Sequence, residues 1–359
     1  MRLLIYSDPH LGVKRQAHTT YKSAADLRRK VFETPFTFLE TSKRECARAL
    51  CLGDLFDSFS NDEATLLEGL QLWESTTYIM AGNHDVSGRA DEVSSLALLM
   101  EATGGENIMI TPYGEAAVFE RREGSTTFFF VPHTATQELF EQSLREAERR
   151  AKLSPPAWFV LCLHCNYNLP PERVSETTLN LTEELAYPLL NTFHRILIGH
   201  EHQARAPIPD RIQMLGNTHP TSFSDIGDKF FWVYDTDTGA LEQRICWNRD
   251  EKHLKSKASL VAADAAGGVP FFDLVQFFDL EDDMPPGKAS ALVTGLFKKP
   301  NTLAVRLSRN ESVQGREIAA QLDQLDDLPE LIEADLQKNH PALLPLFKEF
   351  VHAAQNSDP

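Results

Sequence analysis

Short apolar runs in this chain repeatedly break into a polar cluster at their C-terminal end. Arg2-Leu-Leu-Ile-Tyr6 leads into Asp8-Pro9-His10, and Ala47–Leu52 into Gly53-Asp54-Leu55-Phe56-Asp57. Thr77–Met80 leads into Gly82-Asn83-His84-Asp85, Trp158–Leu163 into His164, and Arg195–Ile198 into Gly199-His200-Glu201-His202. Runs this short and apolar read as buried strands. Thr126–Val131 is another, and Phe230–Tyr234 with Leu241–Cys246 reads as a hairpin around Asp237-Thr238-Gly239. Between them, helical spacing runs over residues 22–45, Thr65–Trp73 and Gln137–Lys152, with Pro35 expected to interrupt or kink the first. Strand, polar turn and helix in repetition describe an α/β fold. Such folds carry their sites at the C-terminal ends of the strands, where loops are free to hold chemistry.

Those strand ends supply carboxylates, an amide oxygen and imidazoles, which is what a pair of divalent cations needs. Hard cations want carboxylate oxygen, and imidazole suits Mn, Fe and Zn, so the mixed set disfavours a pure Mg site. Two ions about 3.5–4 Å apart clamp the attacking and leaving oxygens of a phosphoryl displacement. Each residue alone has an ordinary reading. A lone Asp after a strand caps a turn, Asn83 suits a left-handed turn, and His164 suits a satisfied core histidine. His200 and His202, two apart in a strand-like context, point the same way, as two ligands or two surface residues would. Five independent caps in this order and placement, however, have no such explanation.

With 359 residues the chain is long enough for two domains. A charged stretch after Trp247 and the small-residue run Ala262–Gly268 read as a linker. Expected are a domain over 1–250, a small α+β domain over 251–310 with strands at Pro270–Leu280 and Thr302–Leu307 around a helix at Lys288–Phe297, and a helical segment over 311–359. In that last segment Leu343, Leu344, Leu346, Phe347, Phe350 and Val351 form an apolar face that either packs on its own domain or docks a partner. No run approaches the roughly 18 apolar residues of a membrane span. The N-terminus turns polar too soon for a signal peptide, so a cytoplasmic protein is expected. Cys162 and Cys165 have CxxC spacing but no second pair, and the five cysteines read as small buried hydrophobes. A net charge of −17 argues against coating nucleic acid by bulk electrostatics. A local basic run around Lys14, Arg15, Arg28 and Arg29 is either a solvated helix face or a phosphate-contacting patch.

The succession DPH, GDLFD, GNHD, LH and GHEH resembles the calcineurin-like metallophosphoesterases over roughly residues 1–235. Asp8-Pro-His10-Leu-Gly with Gly53-Asp54-Leu-Phe-Asp57, then Leu215-Gly-Asn-Thr-His-Pro-Thr-Ser-Phe and Asp228-Lys-Phe-Phe-Trp-Val-Tyr, is similar to the SbcD-type nuclease subunits of double-strand-break repair, in a compact phage-like form. Val269-Pro-Phe-Phe-Asp-Leu and Asn301-Thr-Leu-Ala-Val-Arg-Leu resemble the first and last strands of that family's capping domain. The resemblance implies a four-layer α/β/β/α sandwich with a small α+β capping domain and C-terminal helices. It further implies a manganese-dependent 3′→5′ exonuclease and single-strand endonuclease, a homodimer, acting on DNA with an SbcC-type coiled-coil ATPase. Carried over by position, Asp8, His10 and His202 would hold one ion, Asn83, His164 and His200 the other, and Asp54 would bridge them. His84 would assist the transition state or leaving group, Asp85 would orient His84, and Asp57 would stand in support. A phosphodiesterase or phosphatase acting on small molecules or phosphoproteins is the alternative.

Overall fold

The computed structural model describes residues 1–13, 19–21, 24–89, 92–173, 178–219, 228–247, 275–280, 291, 294–295, 298 and 304–309. In chain order its elements are β1 (Arg2–Tyr6), β2 (Thr19–Tyr21), α1 (Ala24–Ser42), β3 (Arg48–Leu52), α2 (Glu63–Ser75), β4 (Tyr78–Met80), α3 (Ser95–Thr103) and β5 (Ile108–Met109). Then come β6 (Phe119–Glu123), β7 (Thr126–Val131), α4 (Gln137–Leu153), β8 (Trp158–His164), β9 (Asn166–Tyr167), β10 (Asn180–Leu181), α5 (Glu183–Leu189) and β11 (Arg195–Gly199). The remaining strands are β12 (Arg205–Ile208), β13 (Ile212–Met214), β14 (Lys229–Asp235), β15 (Leu241–Trp247), β16 (Val275–Leu280) and β17 (Ala304–Arg309).

Two six-stranded mixed sheets form the body, ordered β15-β14-β1-β3-β4-β5 and β12-β13-β11-β8-β7-β6. Side chains alternate across each strand, and the alternation builds three separate cores. Leu3, Ile5, Leu50 and Leu52 of the first sheet meet Phe128, Phe130, Val160 and Cys162 of the second. Their neighbours face outward. Leu4, Tyr6 and Cys51 pack with Phe38, Leu39, Leu72, Leu96 and Leu99 of α1, α2 and α3. Phe129, Val131, Leu161 and Ile198 pack with Phe140, Leu144, Ala147 and Leu189 of α4 and α5. Three buried interfaces between helix, sheet, sheet and helix make the α/β/β/α sandwich. Cys162 and Cys165 belong to different cores, so their CxxC spacing makes no site.

The register positions the strand ends. In the first sheet Tyr6 lies opposite Cys51 and Leu52 opposite Met80, all in parallel pairs. In the second, Leu163 pairs with Val131 and His164 with Gly199. The polar motifs that follow therefore emerge along one edge of each sheet.

Helix α1 is not interrupted at Pro35 but runs on to Ser42. Its aromatic contacts offset the lost backbone bond. Phe38 stacks on Phe231 with centroids 4.7 Å apart, and Phe32 stacks on Phe36. Side-chain caps set the starts of α2, α3, α4 and α5, at Asp62, Ser94, Thr136 and Thr182.

The chain divides into two units, residues 1–278 with 287–307, and residues 279–286 with 308–359. Within the first, β17 pairs antiparallel with β2, setting Ala304 opposite Tyr21. Among the described residues of the second are the last residues of β16 and of β17. The expected linker and the apolar helices of 311–359 lie outside the described residues. No helix among those described is long and apolar enough to cross a membrane.

Candidate metal centre

The strand ends of the two sheets converge on one cluster. Asp8, His10 and His202 bring donor atoms within 4.8 Å of one another, as do Asp54, His164 and His200. His10 Nε2 and His202 Nε2 face each other at 3.1 Å. In the second group Asn83 Oδ1 lies 2.8 Å from His200 Nδ1 and 3.2 Å from His164 Nε2. Asp54 joins the groups, with Oδ2 3.2 Å from His164 Nε2 and 3.8 Å from His10 Nε2. These seven residues are the ones singled out from the sequence. His200 and His202 depart from the common direction that strand period gave them. The strand stops at Gly199, and a φ of 89° at His200 turns the chain, so the two imidazoles serve different groups.

The backbone at this edge is strained. Asp8, His10, Asp54 and His200 all have positive φ, the left-handed region that L side chains avoid. Strain of this kind, about 1–3 kcal/mol per residue, persists where surrounding contacts over-determine it. Here the contacts are visible. The Asp8 N–H donates to the Gly53 carbonyl at 3.0 Å, and the His10 N–H to the Asp54 carbonyl at 3.1 Å. The His200 N–H donates to the Asp8 carboxylate at 3.0 Å, and the His84 N–H to Asp54 Oδ1 at 2.8 Å. Gly82 is required by close approach, because a Cβ there would sit 2.2 Å from Asp54 Oδ1.

Supporting bonds orient the imidazoles. His164 donates from Nδ1 to the Leu52 carbonyl at 2.9 Å, which leaves the Nε2 lone pair for the cluster. His10 Nδ1 lies 3.3 Å from Asp57 Oδ1, where charge acts more than an aligned hydrogen bond. His202 is held by its carbonyl, which accepts from the buried Lys229 ammonium at 3.1 Å and from the Asn217 N–H at 3.3 Å. His84 donates from Nδ1 to the Asp57 carbonyl at 2.8 Å, leaving Nε2 for a substrate.

Asp85 does something other than the expected orienting of His84. It is fully buried, and its carboxylate accepts from the N–H groups of Leu55, Phe56 and Gly82 at 2.9–3.1 Å. It thus staples the loop carrying Asp54 to the loop carrying Asn83. Burial and the neighbouring Asp54 raise its pKa to about 7, against the pull of its N–H donors.

Electrostatically the cluster calls for positive charge. Burial opposes protonation of His10, yet Asp57, Asp54 and Asp8 outweigh it and raise the imidazole to about 9. At His164 burial is likewise outweighed, chiefly by Asp54, giving about 10. Burial would raise the Asp54 carboxyl, but His164 and His10 hold it well below the usual range. His200 falls to about 4 through burial and then the charge of His164. Buried carboxylates that recruit protons onto facing imidazoles fit a site built for cations, and the N/O donor set fits two of them.

The expected basic patch divides. Lys14 and Arg15 lie outside the described residues. Arg28 is committed to Asp62, the cap of α2, through two 2.9 Å bonds, and Arg29 lies 3.6 Å from Glu33. Sequence reading missed Lys229 and His133. The latter follows β7 as His164 ends β8, so the strand-end pattern already marked it.

The chain belongs to the calcineurin-like phosphoesterase family, whose model matches residues 1–204. That family consists of hydrolases using divalent metal ions. No curated protein sequence matches the chain. It is similar to TT1561 of Thermus thermophilus at 11% identity, with a TM-score of 0.43 over 68% of this chain and 98% of that one. A novel archaeal phosphodiesterase matches at 12% identity and a TM-score of 0.35, over 68% of this chain and 99% of its own. A putative 5′-nucleotidase from Staphylococcus aureus, in complex with alpha-ketoglutarate, matches at 12% identity and a TM-score of 0.41, over 68% of this chain and 52% of its own. Likenesses this distant add no argument to the family match.

Proposed function

We propose that this phosphoesterase is a metal-dependent DNA nuclease, the SbcD-like subunit of a nuclease–ATPase complex in DNA repair and recombination. The observation that carries its phosphodiester chemistry is the shared Asp54, which links two N/O donor groups beside an imidazole outside the expected ligand set, His84. Asp8, His10 and His202 would hold one ion, Asn83, His164 and His200 the other, with Asp54 between. When bound, two divalent ions supply Lewis acidity and an activated water at neutral pH. Manganese is the ion we favour for this donor set, with Mg, Fe or Zn as substitutes.

The chain's own residues do the rest. His164 and His10 are oriented by the Leu52 carbonyl and by Asp57. His84 is aligned by the Asp57 carbonyl through Nδ1–H, and in its doubly protonated form it also carries an Nε2–H that can pass to the departing 3′-oxygen. Water oxygen bonds to phosphorus, the P–O3′ bond breaks, the His84 proton completes the alcohol product, and the proton shed by the attacking water restores His84. The DNA assignment rests on sequence: the GDLFD and LGNTHPTSF runs and the resemblance past residue 268. The same resemblance makes an SbcC-type ATPase and a second copy of this chain the proposed partners.

A phosphodiesterase or phosphatase of small molecules has the same core. Labelled single- and double-stranded DNA and a bis-nitrophenyl phosphodiester, assayed in parallel with manganese, separate the two readings. Nuclease function predicts cleavage of DNA at low protein concentration. Ester hydrolysis with DNA left intact would sink the nuclease and leave the phosphoesterase.

A further inference from the structure

Beside Asn83, His164 and His200 opens a cavity of about 590 Å³, walled farther out by Arg89 and Tyr113. His133 lines it as well. Val131 pairs with Leu163, so the chain leaving β7 runs alongside the chain leaving β8 at His164. The His133 N–H donates to the Ala81 carbonyl at 3.0 Å, tying this strand end to the loop of Gly82 and Asn83. His133 is thus placed against the second donor group by a neighbouring strand and by a backbone bond.

Its ring is poised asymmetrically. Nδ1 is enclosed and has no hydrogen-bond partner among the described residues. The residue as a whole is only partly buried and lines the cavity, so with Nδ1 enclosed it is Nε2 that is left to face it. An enclosed N–H without an acceptor is among the rarest and costliest defects in a folded chain, at about 1–3 kcal/mol. A neutral imidazole avoids it by carrying its proton on the other nitrogen. Nε2 therefore faces the cavity as an N–H donor. Two cations in the cluster would hold the ring neutral, since each repels a further proton. Among the described residues such a donor makes no hydrogen bond, and it lines the same cavity as Asn83, His164 and His200, into which a phosphoryl group bound at those three would present its oxygens.

We propose that His133 is a catalytic residue of this site, a neutral imidazole whose Nε2–H donates to a non-bridging phosphoryl oxygen of the substrate and follows it into the transition state. The proposal rests on the phosphoesterase reading of the cluster. Removing one such donor typically lowers kcat by about 10²–10³-fold.

The test compares the full-length parent protein with His133→Ala, His133→Gln and His133→Asn. Glutamine can place an amide N–H near the position of Nε2; asparagine is too short. Three quantities are read in each: manganese content, kcat on a bis-nitrophenyl phosphodiester, and the affinity of the manganese-loaded protein for inorganic phosphate by calorimetry. Expected are unchanged manganese content throughout, kcat down about 100-fold or more in the alanine variant, phosphate affinity down about tenfold, and partial recovery in glutamine but not asparagine. Alanine within twofold of the parent in both kcat and phosphate affinity overturns the proposal, as does equal behaviour of glutamine and asparagine. If alanine fails to fold, the glutamine–asparagine pair decides alone. If the parent protein hydrolyses no ester, the phosphoesterase reading fails by itself, and the phosphate affinities still decide for or against His133.

Discussion

At the scale of single residues, Asp54 holds the centre together. Its Oδ1 accepts the His84 N–H at 2.8 Å, while Oδ2 reaches toward both His164 and His10. Asp54→Ala is expected to abolish hydrolysis and to deplete both ions, because a shared carboxylate is lost from each donor group. Near-native activity with two manganese ions per chain would remove Asp54 from the centre. His84→Ala should behave differently. A lost acid–base group lowers kcat by about 10²–10⁴-fold, with manganese content unchanged, and the loss of an ion in that variant would make His84 a ligand instead. Asp85→Ala acts on stability. It leaves the N–H groups of Leu55, Phe56 and Gly82 without their acceptor in a buried setting. At about 1–3 kcal/mol for each unsatisfied group, a loss of about 3 kcal/mol or more is expected. Urea unfolding of the ion-free protein checks this, and a loss no larger than that of His84→Ala would mean that water replaces the carboxylate.

At the scale of elements, a close approach between the two sheets defines the site. A Cβ on Gly199 would lie 2.2 Å from Ser7 Oγ and 2.4 Å from the Leu52 carbonyl. Gly199→Ala must therefore push β11 away from β1 and β3, and with it His200 from Asn83. We expect weaker manganese affinity than in the parent while far-UV circular dichroism is retained; equal affinity would show that the sheets can yield there. The elements themselves were legible in proportion to how locally they are determined. β7 and α4 have strong local patterns, of apolar run and of helical spacing, and appear as read or within a residue. The short pairings β5, β9 and β10 were missed, since two residues carry no period and form only because a neighbouring strand supplies the bonds. The interruption expected at Pro35 does not occur, because propensity is local, whereas the stack of Phe38 on Phe231 is not.

For the whole molecule, charge and pH govern the exchange between protons and ions. His10 and His164 are raised to about 9 and about 10 in the ion-free fold. A histidine raised in this way stabilises the fold fully below its ordinary value of 6.5, and that contribution is lost as pH rises through the raised value. Ion-free protein should accordingly lose stability between about pH 6.5 and 10. Cations need the lone pairs that these protons occupy, so manganese uptake should release protons and tighten over the same range. Calorimetry in two buffers of unlike ionisation heat measures the release; uptake without it would show that His10 and His164 are not the donors.

The sequence by itself determined the repeating order of strand, polar turn and helix and the residues that follow each strand, because these are local properties; the four-layer sandwich came only as what the family resemblance implied. Which core each face of β1 and β7 meets was decided by the tertiary structure: Leu3 and Phe128 share one core, while Leu4 and Phe129 lie in two others. Roles decided by contact belonged to the tertiary structure alone. It set Asp85 on backbone amides rather than on His84, committed Arg28 to a helix cap, and turned the chain at His200 by a positive φ where strand period had His200 and His202 point the same way. It also brought Lys229 beneath His202, and His133 alongside His164, from segments distant in the chain. A hydrogen bond depends on direction and on distances of a few ångströms between such segments, and neither is encoded in the spacing of residues along one of them.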